Sequence, residues 1–104
     1  PLVVMSPIYC APREMTENAV GLTLRQMRNE IELAVDAVKR QGDAQLHYVN
    51  GLDVFGPQYA DYLPDQLHPH TEGYRIMADR FQETITQLGI IKNVRDRSTG
   101  LLAR

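Results

Sequence analysis

Apolar residues follow two rhythms along this chain. Leu24, Met27, Ile31, Val35 and Val38 recur at spacings of three, four, four and three, which puts them on one face of an amphipathic helix. Thr23 precedes the stripe with Gln26 three residues on, the pattern of a capping box. Gly42 stands past Lys39 and Arg40, where a C′ glycine belongs. A second stripe of Tyr74, Met77, Phe81, Ile85 and Leu88 predicts a helix from about Thr71 to Leu88, closed by Gly89. Elsewhere the period vanishes. The run from Pro1 to Met5 is apolar without polar alternation, as in strands covered on both faces in parallel sheets, and predicts a first strand from Leu2 to Ile8. Gln45 to Val49 is a shorter β-rich run and predicts the second strand.

Between these elements, turn-forming residues from Cys10 to Gly21 predict a connecting loop. A stretch of about twenty residues from Asn50 to His70 carries Gly51, Gly56, Pro57, Pro64 and Pro69. Loops beyond about 12–15 residues are uncommon in compact domains and usually serve a function. The order strand, helix, strand, loop, helix is a βαβα unit, whose right-handed crossover implies a parallel sheet. Ligands of such sheets bind at the carboxyl ends of the strands, and both loops leave from that edge. Two parallel strands do not make a stable sheet alone, and the chain opens at Pro1–Met5 without a polar lead-in. The expectation is that residues upstream of Pro1 complete the same sheet.

Composition narrows the classes. With 104 residues, 43% apolar and 23% charged, the chain suits one small globular domain. A net charge of -2 gives no electrostatic reason to expect nucleic acid as partner. No run approaches the roughly 20 apolar residues of a membrane span. Cys10 is the one cysteine, which excludes an internal disulfide and fits a reducing compartment, pointing to the cytoplasm. Residues 90–104 carry four basic side chains and one acidic one, and read as a basic tail packing loosely or against a neighbour.

The long loop holds the candidate chemistry. Asp65 lies three residues before His68, just ahead of a helix. A carboxylate at that spacing can curl back to accept a hydrogen bond from imidazole Nδ1–H, leaving Nε2 free as a general base. Pro64 and Pro69 limit backbone freedom on either side. Read from the residues alone, Asp65 could equally be a carboxylate making an Asx-type turn, and His68 a loop histidine. His70 with His68 and Asp65 could form a two-His-one-carboxylate metal set. However, His70 stands at a helix N-cap position and no fourth ligand is evident. His47 reads as structural and Cys10 as a partly buried, inert thiol. Tyr48, Tyr59 and Tyr62 read as packing or pocket-wall residues.

The stretch Leu63–Phe81, LPDQLHPHTEGYRIMADRF, resembles the last motif of the SGNH (GDSL) hydrolase superfamily, in which Asp-x-x-His-Pro precedes a Gly-Tyr-containing terminal helix. Val3–Glu14 (VVMSPIYCAPRE) resembles the penultimate strand and following loop of its actinobacterial-type esterases. Leu46–Phe55 (LHYVNGLDVF) resembles the last strand and its loop. The resemblance implies that Asp65 and His68 are the triad acid and base of a serine esterase or acylhydrolase needing no metal and no organic cofactor. It also implies that the fold is α/β, the C-terminal βαβα part of a flavodoxin-like three-layer SGNH hydrolase fold with a parallel sheet. That part would span residues 1–89, and the loop from Gly51 to Leu63 would help form the pocket.

Departures from the family pattern are as informative. The Gly-Asp-Ser nucleophile and the glycine and Gly-x-Asn-Asp oxyanion donors are not found in these 104 residues. Gly42-Asp43-Ala44 has Ala for Ser and follows a helix, so it reads as a C-cap and turn. The two serines, Ser6 and Ser98, fall in a strand and in the tail. Neither offers the strand-to-helix turn that exposes a nucleophile. The expectation is therefore an inactive chain whose parent hydrolyses small acyl esters or acetylated sugars. Its partner would be a missing N-terminal half, or a second copy joined through strand 1. The rival expectation is a non-catalytic α/β fragment that oligomerises through that exposed strand.

Overall fold

The structure is a computed structural model and describes residues 1–91; most of the predicted basic tail lies outside them. It is a mixed α/β assembly on a two-stranded parallel sheet. Strand β1 (Leu2–Met5) pairs with β2 (Leu46–Val49) in register from Leu2 opposite Leu46 to Met5 opposite Val49. Helix α1 (Ala11–Glu14) follows β1, α2 (Leu24–Arg40) crosses to β2, α3 (Gly51–Val54) follows β2, and α4 (Thr71–Gln87) closes the order. Among the described residues, no helix is long and apolar enough to cross a membrane.

Local chemistry sets the ends of the long helices. Thr23 Oγ1 accepts from Gln26 N (3.1 Å) while Gln26 Oε1 accepts from Thr23 N (2.9 Å), closing the capping box. Gln41 caps the other end, and Gly42 follows at φ +107°. His70 is the N-cap of α4, its Nδ1 accepting from Gly73 N at 3.2 Å.

Four expectations need correction. The segment Asn50–His70 is not a plain loop. It contains α3 and a 3-10 helix, Pro57–Tyr62. Its Phe55 is fully buried and Val54 nearly so. Sequence periodicity missed it because one helical turn is too short to show a period. The Cys10–Gly21 segment likewise holds α1, begun by Pro12 near its first position. Third, the apolar stripes are only half covered. Val38, Tyr74 and Leu88 are exposed, while Gly73 and Thr84 are the buried positions of α4. The helix turns those two positions inward, and Met77 and Phe81 line an open apolar groove with Met5 and Val54. Strand β1 is also not covered on both faces by the described residues, and Leu2 is 63% exposed.

The carboxyl ends of the two strands are knitted together. Ser6 N donates to Val49 O (3.0 Å), and Ser6 Oγ accepts from Gly51 N (3.0 Å) and bonds Tyr48 Oη (2.9 Å). A Cβ on Gly51 would collide with the carbonyl oxygens of Ser6 and Pro7, so only glycine fits there. Ser6 is completely buried, so its hydroxyl serves this junction.

A second tie was not foreseen. Arg28, on the inner face of α2, is buried and forms a two-pronged bond to Glu14 (Nη1–Oε1 and Nη2–Oε2, both 2.7 Å). It also donates to Pro7 O (2.8 Å) and Ile8 O (3.0 Å). Glu14 in turn accepts from Cys10 N (3.0 Å). The loop after β1 is thereby fastened to α2 through one guanidinium, whose planar fork suits several acceptors at once. The Arg28 hydrogen bonds hold the Glu14 carboxyl below its usual 4.5, against the opposing effect of burial.

Arg28→Met should therefore strand a part-buried carboxylate and two carbonyls, lowering stability by about 3 kcal/mol in a urea titration. Because the folded pKa of Glu14 is depressed, its contribution is in force above 4.5 and fades as pH falls through the lowered value. The Arg28→Met variant should lose that part of the acid dependence. An unchanged urea midpoint would show that the tie carries no stability.

Candidate functional site

The turn that connects the 3-10 helix to α4 holds the two residues singled out by sequence. Leu63 is buried and anchors its start, with Leu63 N donating to Ala60 O (3.0 Å) and Gln66 N to Leu63 O (2.9 Å). Gln66 takes φ +64°, a left-handed conformation that costs a non-glycine residue about 1 kcal/mol. That reversal brings the backbone after it around the Asp65 carboxylate.

The two carboxylate oxygens divide the work. Asp65 Oδ1 accepts from Leu67 N (3.0 Å) and His68 N (2.6 Å), while Oδ2 lies 2.7 Å from His68 Nδ1. The Asx-type turn and the acid–imidazole pairing, alternatives in the sequence, coexist here on opposite oxygens. Hydrogen bonding from the His68 backbone N–H, then from the His68 ring, then from Leu67 N–H, pushes the Asp65 carboxyl well below the usual carboxylate range. An ionised carboxylate only accepts, so the neutral imidazole carries its proton on Nδ1 and presents an Nε2 lone pair. No described residue hydrogen-bonds Nε2, and the side chain is 67% exposed, that of Asp65 57%.

On its far side the turn is closed by His70 N donating to Tyr62 O (3.1 Å). The ring of His70 packs edge-on against Tyr62 at 5.4 Å, in line with Tyr62–Tyr59 and Tyr59–Phe55 contacts at 6.5 and 5.5 Å. This aromatic row runs from the buried Phe55 out to the turn, so Tyr59 and Tyr62 pack as read from the sequence. His70 spends its Nδ1 on the helix cap. Among the described residues, no cluster of three His, Cys, Asp or Glu side chains is arranged to hold a metal ion. Cys10 is buried at the start of α1, and Ser98 lies outside the described residues.

Sequence reasoning missed Gln66 and Arg28, and gave Gly73 only as part of the Gly-Tyr motif, without a role. The turn-forming cluster LPDQLHP signals a reversal but not which residue takes positive φ. A buried arginine gives no signal in a hydrophobic pattern that scores it as surface.

No family model matches the chain, and no curated protein matches it. Among solved structures it is similar to the salicylyl-acyltransferase SsfX3 from a tetracycline biosynthetic pathway, with 26% identity, 88% of this chain covered and a TM-score of 0.75. The chain spans 27% of that protein's length. The α/β architecture described above is thus shared with part of an acyltransferase.

The hydrogen-bond pattern makes a titration prediction. In a carbon-detected NMR titration, the Asp65 carboxyl should ionise well below the 3.8 of a free aspartate. His68→Ala removes the ring donor but keeps the His68 backbone N–H, so the midpoint should rise only part of the way. An ordinary midpoint in the unaltered chain would contradict the geometry.

Proposed function

We propose that this chain is the C-terminal, acid–base portion of an SGNH/GDSL-type serine esterase or acylhydrolase, with Asp65 and His68 as triad acid and base. The observation that carries the reading is the 2.7 Å contact between Asp65 Oδ2 and His68 Nδ1, in the turn immediately before α4. The unoccupied Nε2 then takes the proton of a serine hydroxyl as that oxygen attacks an ester carbonyl. The same Nε2–H returns the proton to the leaving alcohol. Asp65 orients the ring and stabilises the imidazolium without taking the proton itself. In the second half, His68 takes a proton from water as it attacks the acyl-serine, and returns it to the serine oxygen as the acid is released.

The nucleophile and the oxyanion donors come, on this reading, from polypeptide outside these 104 residues. The exposure of the pair supports it. A charge-stabilising site works best when shielded from water, and this pair stands open on the described surface. The outer edge of β1 offers a place for such a partner. Leu2 N and Ser6 N point to β2, so by the strand's period of two the Val3 and Met5 amides point away from it. Small acyl esters or acetylated sugars are the proposed substrates, with residues 51–63 contributing to the pocket.

A second reading follows from the acyltransferase neighbour. The acyl-serine would be resolved by an alcohol acceptor, activated at Nε2 in the same way as water. A third, non-catalytic pairing of two copies through β1, draws on the same open edge.

The codons upstream of Pro1 are expected to encode a Gly-Asp-Ser stretch. A polypeptide extended through them should hydrolyse p-nitrophenyl acetate and lose about 100- to 10,000-fold of that rate on His68→Ala, while the 104-residue chain should do no better than free imidazole. Added alcohol acceptors, with ester product measured, separate transfer from hydrolysis. Hydrolysis by the extended polypeptide that is indifferent to His68→Ala would end the triad reading.

A further inference from the structure

We propose that the first turn of α4 is the positioning device for His68, acting through two positioning residues, Gly73 and His70; this rests on the reading of His68 as the base. An imidazole with most of its surface in water has little packing to hold it. Its place is set by the backbone to which it is attached, and on the carboxyl side that backbone is Pro69 and His70.

Pro69 is buried against Gly73. A Cβ on residue 73 would stand 2.8 Å from Pro69 Cβ, 3.0 Å from Tyr62 O and 3.2 Å from Tyr62 Cβ. None of these is the free end of a flexible side chain. The proline ring is rigid, and Tyr62 O is the acceptor that closes the turn by receiving His70 N at 3.1 Å. Any side chain at 73 would therefore press on the acceptor of that closure, Tyr62 O, and on Pro69, which links His68 to His70, and so move the segment that carries His68.

The backbone of Gly73 gives no other reason for glycine. It lies within the first turn of α4 and is not among the glycines with positive φ. In such a position alanine favours the helix by up to about 1 kcal/mol. The helix and the turn thus make opposite demands on residue 73, and the sequence satisfies the turn. Gly73 also contributes its N–H to His70 Nδ1 (3.2 Å), while His70 O accepts from Tyr74 N (2.9 Å). Through these bonds His70 fastens the helix start to the end of the turn. A shift of about 1 Å at a reacting group can cost 100-fold in rate, so a device fixing one exposed ring has a catalytic consequence.

The test reads the His68 tautomer in the 104-residue chain, by long-range 1H–15N correlation of the imidazoles. Assignment uses His47→Gln, His68→Gln and His70→Gln. The unaltered chain should show His68 with its proton on Nδ1. Gly73→Ala should retain or raise helical circular dichroism yet lose that signature in favour of the Nε2–H form of free histidine. His70→Asn, which keeps a cap acceptor, should leave the His68 signature intact, and His70→Ala should lose it. A folded Gly73→Ala chain with an unchanged His68 spectrum overturns the proposal. Should that variant fail to fold, indistinguishable His68 spectra from His70→Asn and His70→Ala overturn it equally. An unaltered chain without the Nδ1–H form removes both the positioning and the triad readings. The expected tautomer pattern, found beside an extended polypeptide whose hydrolysis ignores His68, leaves the positioning intact and removes the function alone.

Discussion

A hydrogen-bonded carboxylate and imidazole that both face water hold each other in place only weakly. Solvent competes for every donor and acceptor, and screening weakens their attraction. The order of the Asp65–His68 pair must come from the chain around it. Asp65 solves half of this by using Oδ1 to gather two backbone N–H groups while Oδ2 meets the ring. The other half lies in the junction of the turn with α4, where Pro69, Tyr62, His70 and Gly73 close on one another.

That junction is in turn anchored to the sheet. The aromatic row from His70 through Tyr62 and Tyr59 ends on Phe55, which is fully buried and whose carbonyl accepts from Tyr9 N at 3.0 Å. Ser6 and Gly51 lock the carboxyl ends of β1 and β2 at the same level, and Arg28 ties the loop after β1 to α2. Among the described residues the deepest burial is therefore beneath the carboxyl edge of the sheet, the edge from which the Asp65–His68 turn is suspended. The open β1 edge and the groove side chains Met5, Met77 and Phe81 carry less cover.

Hydrolysis and acyl transfer share their first half-reaction, in which one base removes a proton from the nucleophile and returns it to the leaving group. An acid-held imidazole with a free Nε2 serves both equally. What separates them is the pocket that admits water or a second alcohol. The similarity to part of an acyltransferase and the resemblance to esterases are for this reason both compatible with the proposed acid–base role.

The order of the two strands and two long helices, the capping box at Thr23 and the cap at His70 were legible in the sequence, and the spacing of Asp65 and His68 offered their pairing as one of two readings. Each is a local matter of hydrophobic period or of spacing within four residues. Missed were α1, α3 and the 3-10 helix, which are too short to show a period. The burial of Ser6 at a strand junction, the inward turn of Arg28 to Glu14 and the meeting of Gly73, rather than the apolar stripe, with the turn are settled by the folded chain. Those depend on partners up to 45 residues away and on the absence of a side chain. Neither leaves a trace in a local pattern of polar and apolar positions.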